Sequence, residues 1–112
     1  MLQKKYRLPA SDIRRVLRTG RRMGFYDIDL IVAPNAVGTF RCAIITGTRV
    51  DKRATVRNRM RRLVSESVRI ALPRVKDGFD AVFVVKRAFA TNFKDADTKI
   101  LTLFSKAKLF RP

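Results

Sequence analysis

Apolar residues recur at helical spacing in some segments of the chain and alternate with polar ones in others, and their order predicts the architecture. In residues 11–19, Ile13, Val16 and Leu17 stand at i, i+3 and i+4, with Arg14, Arg15 and Arg18 opposite. Ser11 is placed to cap this short helix and Gly20 to close it. Residues 28–33, Ile-Asp-Leu-Ile-Val-Ala, are β-rich, and residues 33–38 read as the turn that follows. Residues 39–47 alternate, with Phe40, Cys42, Ile44 and Thr46 on one side and Arg41, Ala43 and Ile45 on the other, which predicts a second extended strand. A shorter strand fits before both, around Met23 to Tyr26.

The longest helical pattern covers 55–72. Val56, Met60, Leu63, Val64, Ser67 and Ala71 form its inward stripe, Arg57, Asn58, Arg61, Arg62, Ser65 and Arg69 its opposing face, and Pro73 ends it. Phe79 to Arg87 is apolar on both faces, as a central strand is. Asn92 then caps a last helix, with Asp95 at N3 in the manner of a capping box and Ala96, Ile100, Leu103, Phe104 and Ala107 as its buried stripe. The expected order is αβββαβα, an α+β fold: a two-layer α/β sandwich with three helices and one mixed sheet of about four strands. A single domain over 1–112 is expected, with short flexible ends at about 1–4 and 109–112.

Composition sharpens this picture. The 112 residues hold 26 Lys or Arg against 9 Asp or Glu, a formal charge of +17, yet 46% are hydrophobic, too many for a disordered basic tail. No histidine is present, which excludes His-based acid–base catalysis, Ser-His or Cys-His nucleophilic pairs and His-ligated metals. Cys42, the one cysteine, permits no intrachain disulfide or Cys-only zinc site, and its apolar strand predicts a packing role. No run nears the roughly 20 apolar residues that cross a bilayer. The start, Met1 to Arg7, lacks the apolar stretch of a signal peptide. A cytoplasmic protein with a polyanionic partner and no membrane association is the expectation.

The charge is unevenly laid out: residues 1–26 and 49–76 are strongly basic, while 27–48 are nearly neutral. Arginine outnumbers lysine, which favours bidentate phosphate recognition. Arg49 to Arg62 is the informative stretch. In it Arg57 and Arg61 lie one helical turn apart, as do Asn58 and Arg62, and the loop before them brings Arg49, Lys52 and Arg53 to the positive end of the helix. A solvated helix face mixes signs at i, i+4, whereas here arginine stacks on arginine, a repulsion that an anionic partner relieves. Asn58 adds an amide able to address a 2′-hydroxyl or a base edge. The cluster Arg14, Arg15, Arg18, Arg21 and Arg22 supports the same reading less strongly. A ribosomal or other structural RNA-binding protein shares these features, as does a DNA-binding protein that lays residues 55–72 in a major groove.

Arg57-Asn58-Arg59 followed by Arg61-Arg62, after a strand ending near Gly47 and a basic loop, resembles the signature of the bacterial ribonuclease P protein subunit. Arg7-Leu8 before a short helix closed by Gly20, the strand from Phe79 to Arg87 and a helix ending in Leu103-Phe104 follow in the same order, so the likeness covers roughly residues 4–106. The resemblance implies a subunit whose partner RNA holds the catalytic centre, in an endoribonuclease that removes the 5′ leader from precursor tRNA. It implies contact with the catalytic RNA through Arg49, Lys52, Arg53, Arg57, Asn58, Arg59, Arg61 and Arg62. It implies a leader-binding cleft at Arg7, Ile13, Leu17, Ile31 and Phe40, and a left-handed crossover around the Arg-rich helix. Magnesium would act with the RNA, with no cofactor bound by the protein alone.

The sequence departs from that family where Ile13, Leu17 and Ile31 stand in place of the usual aromatic residues, although Phe25, Tyr26 and Phe40 lie nearby. The loop carries Arg49-Val50-Asp51-Lys52 in place of paired lysines and a glycine. No constellation of side chains forms a protein active site, so no catalytic residue and no metal ligand is assigned. Asp27 and Asp29, the one pair on a common strand face, read more readily as a solvated edge than as a cation site. The isolated chain is expected to be inert.

Overall fold

The computed structural model describes residues 2–112; Met1, part of the expected loose N-terminal end, lies outside the described residues. Along the chain run α1 (Ala10–Thr19), β1 (Arg21–Phe25), β2 (Ile28–Pro34), β3 (Arg41–Thr46), α2 (Ala54–Ala71), β4 (Phe79–Val85) and α3 (Phe93–Lys106). The strands make one mixed sheet in the order β1-β2-β4-β3. β1 pairs antiparallel with β2 and β2 with β4, while β3 and β4 are parallel with α2 as the crossover between them. The apolar runs of β2 and β4 make these the two central strands, covered on both faces.

Strand alternation sorts the side chains into two cores. On one face Ile28, Leu30, Val32, Ala81, Phe83 and Val85 meet Met60, Val64 and Val68 of α2 and Ile100, Leu103 and Phe104 of α3. Phe104 lies at the centre, its ring centroid 6.0 Å from Phe40 and 5.7 Å from both Phe83 and Phe110. On the other face Leu8, Val16, Ile31, Ala33 and Val82 form a smaller core beneath α1. Thus α2 and α3 make the helical layer on one side, while the shorter α1 packs mainly on β2 and β4 and reaches β3 through the Asp12–Arg41 pair. The remaining part of that face, Ala43, Ile45 and Val84, stays half-buried.

Several local expectations are corrected. Pro9, not Ser11, occupies the cap position of α1, and no side chain caps it; the fixed φ of proline and its missing N–H suit a helix start. Gly20 closes α1 in an extended conformation, φ −78° and ψ 160°. Glycine is needed there for room, because a Cβ would stand 2.6 Å from both Ile31 Cγ2 and the Val16 carbonyl oxygen. The chain end expected to be loose at 109–112 is docked instead. Leu109 is buried, Phe110 bridges to Val75, and Arg111 Nε donates to the Val75 carbonyl at 3.1 Å. Near the other end Leu2 is also buried. Asn92 caps α3 as expected, accepting the Asp95 N–H at 2.9 Å. The β1–β2 hairpin turns through Tyr26 at φ 58°, a left-handed backbone that costs an L side chain about 1–2 kcal/mol.

Candidate nucleic-acid interface

α2 buries Met60, Val64, Ser67, Val68 and Ala71, with Val56 and Leu63 half-buried at the margin. That leaves Asn58, Arg59 and Arg62 exposed and Arg57 and Arg61 half-buried, their guanidinium groups folded back onto the protein. Arg57 Nη1 donates to the backbone oxygens of Asp51 at 2.8 Å and Lys52 at 2.9 Å. Arg61 donates to Thr46 Oγ1 at 2.5 Å and to the Asn58 side-chain oxygen, and Arg59 donates to the Thr91 carbonyl. Every one of these acceptors is neutral. The bonds fix where each guanidinium points without cancelling its charge.

The loop before α2 is shaped by its one carboxylate. Asp51 accepts the Arg53 backbone N–H at 2.8 Å and its guanidinium at 3.0 Å. The side-chain bond from Arg53 holds the carboxyl down to about 2. Asp51 and Arg57 together hold the backbone of this loop, and Arg49 and Lys52 stand exposed around it. Arg7 joins this group. Its backbone bridges Cys42 on β3, at the edge of the sheet, and it lines a groove of about 490 Å³ with Ile44, Asn58, Arg61 and Arg62.

The second expected site keeps only part of its lining. Ile13 is half-buried against the smaller core, and Leu17, one turn on, is 40% exposed. Ile31 is buried under α1, and Phe40 is buried on the opposite face against Phe104, so neither is open to a ligand. Phe40 shares the parity of Cys42 and Ile44, which points it at α2 and α3. Ala43, Ile45 and Val84 take their place as the half-buried apolar strip beside α1. The alternation of residues 41–45 already separated Ala43 and Ile45 from Phe40, and was the signal that pointed to them. Where β3 and β4 end, this strip runs into a concavity of about 790 Å³ edged by Asp27, Arg49, Lys86 and Arg87.

The N-terminal arginines divide. Arg14 and Arg18 are exposed, but Arg21 donates to the Ala107 carbonyl at 3.2 Å and Arg22 pairs with Asp29 at 3.0 Å. Arg15 is bound to Asp80, whose side chain is wholly buried. Arg41 Nε and Nη2 each lie 2.9 Å from the same carboxylate, and Asn35 Nδ2 lies at 2.7 Å. Burial alone would raise the Asp80 pKa; the bonds from Arg41, Asn35 and Arg15 outweigh it and hold the group below the ordinary carboxylate value. Asp29, bound also by Lys86 at 3.1 Å, is a buried, ion-paired group and not a solvated edge. Burial pushes the Cys42 thiol up to about 12, leaving it a packing group.

The comparisons with known proteins meet this geometry. The Ribonuclease P family model matches residues 2–108. The ribonuclease P protein component of Chloroflexus aggregans is 37% identical over 107 residues, which is 94% of this chain and 78% of that protein. Among solved structures, a Staphylococcus aureus RNase P protein mutant with defective mRNA degradation activity aligns with a TM-score of 0.87 at 19% identity, covering 96% of this chain and 92% of that one. The RNase P protein from Thermotoga maritima aligns with a TM-score of 0.80 at 22% identity, covering 89% and 96%. The structural likeness establishes the fold. With the sequence match running through the basic loop and the arginine-faced helix as well, the chain belongs to the ribonuclease P protein family.

Proposed function

We propose that this chain is the protein subunit of a ribonuclease P holoenzyme, the ribonucleoprotein endonuclease that hydrolyses one phosphodiester of precursor tRNA to release its 5′ leader. The carrying observation is the outward face of α2, where Arg57, Arg59 and Arg61 are aimed by neutral oxygens and keep their charge. With Arg49, Lys52, Arg53, Asn58 and Arg62, and with Arg7 alongside, that face docks on the catalytic RNA. The apolar strip of Ile13, Leu17, Ala43, Ile45 and Val84 receives the single-stranded leader, and Arg49, Lys86 and Arg87 at its end meet phosphates.

The chain's contribution is position and charge. It lowers the repulsion between two RNAs and leaves hydrolysis to the RNA centre. Magnesium would come with that RNA and, when bound there, would supply the activation of the attacking water. On the protein, Asp29, Asp51 and Asp80 are already engaged by arginine or lysine. The reaction sets the location in the cytoplasm, and no helix among the described residues is long and apolar enough to cross a membrane.

Reconstitution tests this reading. Adding the chain to the ribonuclease P RNA of its source should speed leader removal at low magnesium, while the nuclease-free chain alone leaves precursor tRNA intact. An RNA whose rate does not respond, or cleavage by the chain unaided, would overturn it.

A further inference from the structure

We propose that Tyr26, at the tip of the β1–β2 hairpin, is a stacking platform for one unpaired nucleobase of a single RNA strand. The residue is 69% exposed, the most open large hydrophobic among the described residues. Yet the ring is held. Lys99 Nζ lies 4.6 Å from its centroid, and the Phe25 ring meets it at 4.7 Å with the planes 82° apart. Lys99 is fixed in turn by Asp95 Oδ1 at 3.2 Å and by the Phe89 carbonyl. The backbone beneath is left-handed, where glycine or asparagine would be relaxed.

A clamped, exposed ring on strained backbone adds little to the core. What it offers a ligand is a π face already in position, with little ordering left to be done on binding. The next residue, Asp27, accepts the Lys86 backbone N–H at 2.8 Å and edges the concavity that holds Arg49, Lys86 and Arg87. The ring itself stands on the α3 side of the hairpin tip, so a strand whose phosphates follow those cations reaches it by passing round the end of the sheet at Asp27. The inference rests on the reading that single-stranded RNA runs along that face. It also supplies an aromatic contact that Ile13, Leu17 and Ile31 cannot.

Tyr6 and Tyr26 are the only tyrosines, so in a Tyr6→Phe background the Tyr26 ring protons can be followed alone by NMR. Titration of the full chain with an unstructured RNA oligonucleotide should shift them upfield. Tyr26→Asn, which keeps a residue suited to the backbone, should weaken binding about fivefold or more, and Tyr26→Phe should leave it unchanged. Unmoved ring protons, or a Tyr26→Asn chain that binds as tightly as its parent, would overturn the proposal. Arg49→Ala with Arg87→Ala separates the two readings. If only this pair weakens binding, the platform fails and the strand path stands; if neither change matters, both fail. In the holoenzyme, a Tyr26→Asn loss confined to leader-bearing precursor identifies the base as the leader's, and a loss of affinity for the RNA subunit identifies it as the subunit's. Either upholds the platform.

Discussion

On the α1 face, Arg15 and Arg41 share the buried carboxylate of Asp80 and the half-buried one of Asp12, so two negative charges meet their two positive ones where they sit. Along α2, Arg57, Arg59 and Arg61 reach only carbonyl, amide and hydroxyl oxygens, and their charges remain available. The first arrangement ties α1, the turn at Asn35, β3 and β4 to one point. The second holds cations in place for something outside the molecule. Arginine content cannot tell these apart; the acceptor does.

The largest effect should come from breaking the first arrangement. Asp80→Asn leaves Arg15 and Arg41 facing a neutral amide, with Asp12 at 3.5 Å as their remaining carboxylate, and is expected to destabilise the fold by about 3 kcal/mol in urea titrations. The pH dependence has a definite sign. The folded-state pKa of Asp80 is lowered, so its contribution is present above the ordinary carboxylate value and is lost as pH falls through the folded value. The Asn variant should therefore lose less stability on acidification than the parent. An Asn variant as stable as the parent would mean that the carboxylate does not organise this face.

Arg57→Ala with Arg61→Ala should do the reverse, weakening binding to the RNA subunit with a much smaller effect on stability. The slope of log affinity against log salt should flatten by about 0.7–0.9 for each phosphate that the chain no longer neutralises. An unchanged slope would take α2 out of the interface. Asp51→Ala gives the smallest effect and the sharpest discrimination. It raises the net charge, so binding governed by total charge would tighten; if Asp51 sets the direction of Arg53, binding should weaken, on the order of twofold to fivefold. Since Arg53 holds the carboxyl down to about 2, that difference should stay constant between about pH 5 and 8.

The helical stripes, the alternation of residues 39–47 and the doubly apolar run of β4 were legible because burial repeats with the period of the element. The same regularity made the α2 cations and their loop readable, since a helix face is fixed by spacing alone. The cleft was less readable. Ile31 sits on the correct face of β2 but under α1, and Phe40 lies on the wrong face, because which side a strand residue meets depends on what packs there. Arg7 looked like part of the first helix's surroundings, and its pairing with Cys42 carried it to the α2 side.

Composition and periodicity by themselves determined a basic α+β domain with one arginine-faced helix, since local spacing and charge need no partner to be read. Only the tertiary structure decided which arginines are neutralised. Asp80 lies far along the chain from both Arg15 and Arg41, and the three meet because β3 runs parallel beside β4 and α1 crosses above it. Ion pairing acts through space over a few ångströms, and a linear sequence does not record that distance.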